Sequence, residues 1–124
     1  MKILIVDDEK HIAQLIEQTL EDLEDEGVEL LTASNGQEAL ELIERERPQL
    51  VYLDIMMPKM NGFDVCETVK KKWKMEDVYV IMLTAKGQEV DRQKGDAVGA
   101  DLYITKPFDP EALYQRAVEV LGLE

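Results

Sequence analysis

The stretch Leu50–Asp64, LVYLDIMMPKMNGFD, decides the fold. An unbroken apolar run from Leu50 to Leu53 climbs into an acid, Asp54, with a proline and a glycine close behind. A strand apolar at every position suits a parallel sheet covered by helices on both faces. NGFDVCETVKKKW follows and reads as a helix. A strand leading directly into a helix is half of a β-α-β unit, so the rest of the chain should repeat it.

The flanking sequence does repeat it. KILIV, near the N-terminus, is a continuous apolar run. Lys10 to Glu24 then sets Ile12, Leu15, Ile16, Leu20 and Leu23 at helical spacing, with Glu17, Glu21, Asp22 and Glu24 on the opposite, solvated face. VELLTA predicts a second strand. SNGQEALELIERER predicts a second helix, with Ser34 and Gln37 at capping-box spacing and a stop before Pro48. Ala39, Leu40 and Ile43 form its apolar stripe.

Beyond the opening stretch, VYVIML predicts a fourth strand and LYIT a fifth. DPEALYQRAVEVL predicts a last helix, capped by Asp109 with Pro110 at the first helical position. Leu113, Ala117, Val120 and Leu121 are its inward residues. GQEVDRQKGDAVGA, between those strands, makes a weaker helix. Its apolar residues are Val90, Ala97 and Val98, and Gln93 and Lys94 stand where apolar contacts are expected.

Five alternations of strand and helix predict an α/β fold, a single domain over residues 1–124. Right-handed crossovers restrict its topology. The expected architecture is a doubly wound five-stranded parallel sheet, order 2-1-3-4-5, with five helices on two faces, in the flavodoxin-like arrangement.

In such sheets ligands bind beyond the carboxyl ends of the strands, where the winding reverses. Strand one ends in Asp7-Asp8-Glu9, strand three in Asp54, strand four in Thr84 and strand five in Thr105-Lys106-Pro107. With strands one and three adjacent, Asp7, Asp8 and Asp54 crowd together, and their mutual repulsion calls for positive charge. All-oxygen ligands and few carboxylates suit magnesium, which retains waters and favours a phosphate oxygen. Lys106 supplies a positive point charge and Thr84 a hydroxyl donor. Cation, ammonium and hydroxyl together disperse the charge of an incoming phosphoryl group. Asp54, central in the cluster, is then the candidate acceptor, through an acyl phosphate.

Composition removes several other classes. Fourteen basic against 27 acidic residues give a net charge of −13, which disfavours direct binding to nucleic acid and to anionic membrane surfaces. No apolar run approaches the roughly 20 residues that span a bilayer. The apolar run before Asp7 is too short for a signal peptide. The single cysteine, Cys66, admits no internal disulfide and sits on an apolar helix face as a small hydrophobe. A cytoplasmic protein is expected. His11, the only histidine, reads as a first-turn helix residue near acids rather than a metal ligand.

The pieces ILIVDDE, SNGQEAL, LDIMMPKMNGFDV, VIMLTAKG and GADLYITKPFDPEAL, in this order and spacing, resemble the response-regulator receiver domains of bacterial two-component signalling. The resemblance covers essentially the whole chain. It implies that Asp54 is the phosphoacceptor, that Asp7 and Asp8 bind magnesium with Asp54, and that the backbone carbonyl of Met56 completes the protein's share of the metal shell. It further implies Thr84 as switch hydroxyl, Lys106 as phosphate partner, and a cis peptide between Lys106 and Pro107. Phosphorylation would draw Thr84 inward, Tyr103 would follow, and the surface of helix four, strand five and helix five would change.

Met56 and Lys86, two residues beyond the acceptor and the switch threonine, flank the phosphoryl group in that family and influence its hydrolysis. The implied partners are a sensor histidine kinase or phosphotransfer protein, and a downstream protein target or an output domain elsewhere in a longer chain. A phosphorylation-dependent dimer through helix four, strand five and helix five is also within the family's repertoire. Self-phosphorylation and slow self-dephosphorylation are implied, without turnover of an external substrate.

Tyr52 departs from the family, which places an aliphatic residue in this buried strand, and its hydroxyl needs a partner there. Two rivals fail on the residues. A flavin carrier needs a hydroxyl- and glycine-rich loop where DDEKH stands, and a dehalogenase-type phosphatase needs an acid where Met56 stands. An unphosphorylated interaction module that keeps the fold is the remaining alternative.

Overall fold

The computed structural model describes residues 1–85 and 89–123. The strands are β1 (Lys2–Val6), β2 (Glu29–Ala33), β3 (Leu50–Asp54), β4 (Tyr79–Ala85) and β5 (Leu102–Lys106). The helices are α1 (Lys10–Leu20), α2 (Gly36–Glu46), α3 (Gly62–Glu67), α4 (Glu89–Val98) and α5 (Pro110–Leu121). All strand pairs are parallel and the order is β2-β1-β3-β4-β5, as the sequence predicts.

Side chains of the central strands alternate between two apolar layers. Leu4, Val6, Val51, Leu53, Val80 and Met82 pack towards Ala39 and Ile43 of α2 and Val65 and Cys66 of α3. Ile3, Ile5, Leu50, Tyr52, Ile81 and Leu83 pack towards Ile16 and Leu20 of α1 and Leu113 and Ala117 of α5. β3 is buried at all five positions, which is why it reads as a continuous apolar run.

Several local expectations shift. α1 ends at Leu20 and continues as a tighter 3-10 segment, Glu21–Glu26, closed by Gly27 at φ 85°. Its stripe is also rotated: Ile16, Leu20 and Leu23 are buried, but Leu15 is 42% exposed. Ile12 and Ala13 contribute partly buried contacts at the start of the helix. Leu15 lies one residue, and hence about 100°, off the centre of the stripe marked by Ile16.

The cap of α2 lies one residue later than Ser34. Asn35 Oδ1 accepts from the Glu38 amide at 2.8 Å, and Glu38 reaches back to the Ser34 amide at 2.7 Å. α3 is capped by Asn61 and widens into a π-helical turn, Thr68–Lys72. α5 begins as predicted, with the Asp109 carboxylate accepting from the Glu111 amide at 3.0 Å.

α4 has a thin inward face, and its composition differs from expectation. Gly95 is buried and Val98 half-buried, while Gln93, Lys94, Asp96 and Ala97 are exposed. Ala97 therefore lies outside the apolar stripe; the side chain of Val90 and all of Lys86 lie outside the described residues. Cys66 is buried, and that burial pushes its thiol up to about 12, so it is an inert core residue. Among the described residues no helix is long and apolar enough to cross a membrane.

Candidate functional site

Four of the five strands, β1, β3, β4 and β5, end at or next to a polar side chain on the same edge of the sheet: Asp7, Asp54, Thr84 and Lys106. In register, Asp54 faces Leu83 of β4, and Thr84 and Ala85 face Thr105 and Lys106 of β5. Asp7, Asp54 and Thr84 are 2%, 4% and 6% exposed, the only buried polar or charged residues among those described. Buried carboxylates need partners. Lys106 provides one to both: its Nζ lies 3.1 Å from Asp7 Oδ2 and 3.1 Å from Asp54 Oδ1.

The loop after Asp54 is tightly wound. The Met57 and Gly62 amides both donate to the Ile55 carbonyl, at 3.2 and 2.9 Å, and Lys59 takes a φ of 70°. Gly62 is required by space: a Cβ there would stand 2.6 Å from the Asp54 carbonyl oxygen and 2.9 Å from Ile55 Cα. α3 is thereby pressed against the end of β3. Met56 projects outward, 73% exposed.

The electrostatics leave the site short of positive charge. Burial first, and then the charge of Asp7, push the Asp54 carboxyl up to about 6, against the pull of Lys106. For Lys106, burial favours the neutral amine. Its hydrogen bond to Asp7 and the charges of Asp54 and Asp7 outweigh that and raise its pKa. One ammonium between two carboxylates leaves a negative charge uncompensated, and Asp8 adds another.

Asp8 and Glu9 stand exposed at the mouth of the site, with their carboxylate oxygens and that of Asp7 within 4.8 Å of one another. Such a cluster of hard oxygen donors fits a divalent cation of the magnesium type. Asp54 joins this cluster through Lys106 rather than directly. Glu9 thus adds a third carboxylate to the expected pair Asp7 and Asp8, and its place directly after them in sequence is the signal for it. His11 is exposed, with Nε2 3.6 Å from Glu9 Oε2, and no second nitrogen or sulfur ligand accompanies it among the described residues.

The remaining predicted residues occupy β5. Lys106 and Pro107 are joined by a cis peptide. Tyr103 is half-buried and its hydroxyl donates to Asp96 Oδ1 of α4 at 2.6 Å. Tyr52, whose buried hydroxyl requires a partner, donates it to the Leu113 carbonyl of α5 at 2.8 Å. Burial pushes that phenol well above its ordinary range, so it stays a neutral donor.

Known proteins resemble the chain in both sequence and structure. The pattern of the response regulator receiver domain matches residues 3–118. The probable transcriptional regulator ycf27 of Porphyra purpurea is 48% identical over 120 residues, 97% of this chain and 47% of that protein. The alkaline phosphatase synthesis transcriptional regulatory protein PhoP of Bacillus subtilis is 42% identical over 120 residues, 97% of this chain and 48% of that one. The chain spans about half the length of these curated relatives. Among solved structures, the chemotaxis protein CheY4 of Vibrio cholerae matches with a TM-score of 0.84 at 35% identity, over 96% of this chain and 97% of that one. Sheet order, acidic cleft and a match running from β1 into α5 agree, and the chain belongs to the response regulator receiver domain family.

Proposed function

We propose that the protein is a phosphorylation-activated signalling switch in which Asp54 accepts a phosphoryl group from a histidine of a sensor kinase or phosphotransfer protein. An Asp54 carboxylate oxygen forms the new bond to phosphorus while the nitrogen–phosphorus bond of the donor breaks. Lys106 pairs with the phosphoryl oxygens and Thr84 donates its hydroxyl to one of them. Asp7 and Asp8, with the Asp54 carboxylate and the Met56 carbonyl, would hold magnesium. When bound, the ion supplies the positive charge that spreads the load on the phosphoryl oxygens.

The observation that carries this reading is the 3.1 Å bridge of Lys106 to Asp7 and Asp54, two buried carboxylates short of one compensating charge. Binding a dianionic group alone would worsen that imbalance; binding it together with a divalent cation relieves it. Downstream, the engagement of Thr84 draws Tyr103 with it and alters the surface of α4, β5 and α5. That surface would then select a protein target or an output domain, or pair two copies of the domain. The reaction ends at self-dephosphorylation, with no external substrate turned over.

A beryllofluoride titration followed by amide NMR, with magnesium, tests this. Shifts at Asp54 and Thr84 that spread to Tyr103, α4 and α5, and that vanish in Asp54→Ala, are expected. A wild-type spectrum that does not change would overturn the switch.

A further inference from the structure

Tyr103 is seated on α4 by two consecutive residues, Gly95 and Asp96. Its hydroxyl donates to Asp96 Oδ1 at 2.6 Å. Its ring lies so close to Gly95 that an added Cβ would stand 2.4 Å from Cε1, 2.6 Å from the hydroxyl oxygen and 2.9 Å from Cζ. Gly95 is buried although Lys94 and Asp96 on either side are exposed.

Glycine is the poorest helix former after proline. Gly95 does not adopt a left-handed φ, so conformational freedom does not account for it. Space does: the helix surface is hollowed where the phenol rests. A carboxylate at the rim then accepts the hydroxyl, and a hydrogen bond to a charged acceptor is stronger than a neutral one. Hollow and acceptor together form a socket for one side chain.

We propose that Gly95 and Asp96 are positioning residues that hold Tyr103 in the resting state and thereby set how readily the acceptor site switches. This rests on the reading above, in which Tyr103 moves with Thr84. β4 and β5 are adjacent, with Met82 opposite Tyr103 and Thr84 opposite Thr105. The ring occupies either its seat on α4 or the space beside Thr84. A bond made only in the seated state lowers the population competent for the phosphoryl group, and apparent affinity falls by that fraction.

α4 need not leave when the ring does. It is tied to α3 independently, by Lys94 Nζ at 5.8 Å from the Phe63 ring centroid and by the Cys66 thiol at 3.6 Å from the Val98 carbonyl.

The test is the beryllofluoride concentration at half-saturation, read by amide NMR in magnesium buffer. Asp96→Ala removes the acceptor at an exposed helical position and leaves the acceptor site untouched. Tyr103→Phe removes the donor and keeps the ring. Each is expected to lower half-saturation by about three- to tenfold, as loss of one exposed charge-assisted hydrogen bond allows. The double variant should go no further than either single one, because both remove the same bond. Asp96→Glu should return towards wild type, and Gly95→Ala, which evicts the ring sterically, should move in the direction of Asp96→Ala.

Half-saturation unchanged or raised in Asp96→Ala, or additive effects in the double variant, would overturn the proposal. If wild type responds and Asp96→Ala follows it, this inference alone falls. If wild type does not respond at all, the switch reading falls and takes the inference with it.

Discussion

Lys106 Nζ lies 3.1 Å from Asp54 Oδ1, although 52 residues separate them, and this contact organises the carboxyl edge of the sheet. The lysine compensates part of the charge that β1 and β3 bury together. It cannot compensate all of it, and the residual imbalance has measurable consequences.

The first concerns pH. Asp54 titrates near 6 in the fold against 3.8 for an ordinary aspartate. A carboxyl whose pKa is raised by folding favours the native state when protonated. Its contribution is therefore complete below about pH 3.8 and is lost as pH rises through 6. Asp54→Asn, isosteric and uncharged, should stabilise the protein at pH 7.5 by about 1–3 kcal/mol without magnesium. The gain should shrink towards pH 5. Urea unfolding of both proteins at the two pH values measures it; a difference independent of pH would contradict the buried, charge-strained Asp54.

Removing the cation should act in the opposite direction. Lys106→Met leaves Asp7 and Asp54 facing each other with no ammonium between them. A loss of about 1–3 kcal/mol at pH 7.5 is expected, smaller than for a fully dry pair because the Lys106 side chain is 22% exposed. Added magnesium should restore part of that loss. Thermal unfolding with and without the ion reads both effects, and a Lys106→Met protein as stable as wild type would contradict them.

How much of this was legible in sequence depends on the range of the interaction concerned. The parallel sheet followed from the apolar runs and the alternation of elements, because burial on both faces leaves a pattern that Leu50 to Leu53 carry openly; the order 2-1-3-4-5 was a choice among the few topologies that right-handed crossovers leave. The acids, Thr84 and Lys106 were legible for a topological reason, since strand ends in a parallel sheet share one edge. Sequence periodicity placed Leu15 inside because a stripe admits neighbours of its true centre, and only packing against β1 and α5 selects Ile16. The cap at Asn35 rather than Ser34 turned on a choice between adjacent polar residues with equal propensity. Tyr52 and Gly95 were opaque because their partners, Leu113 and Tyr103, are distant in sequence or belong to another element.

The Tyr52 hydroxyl offers a clean deletion. Its acceptor, the Leu113 carbonyl, lies inside α5, where helix geometry already supplies the Ala117 amide. Tyr52→Phe leaves no buried group unpaired, and a cost of about 0.5–1.5 kcal/mol is expected. Tyr52→Ala should cost about 3–5 kcal/mol by opening a cavity under α5. Denaturant midpoints separate the two, and equal losses would refute the packing described here.

α4 is expected to be the least protected helix. Gly95 and Val98 are its inward residues among the described side chains, and little apolar area holds them down. Amide exchange should be faster along Glu89–Val98 than along Lys10–Leu20 by at least about tenfold, reflecting a lower local opening free energy. Protection equal to that of α1 would contradict this.

Intact mass after incubation with acetyl phosphate is the most direct test of Asp54 as acceptor. A gain of one phosphoryl group is expected in magnesium buffer, abolished by chelation and absent from Asp54→Ala. A gain that persists in Asp54→Ala, or no gain in a folded wild-type protein that also fails to bind beryllofluoride, would show that this site does not take up phosphate.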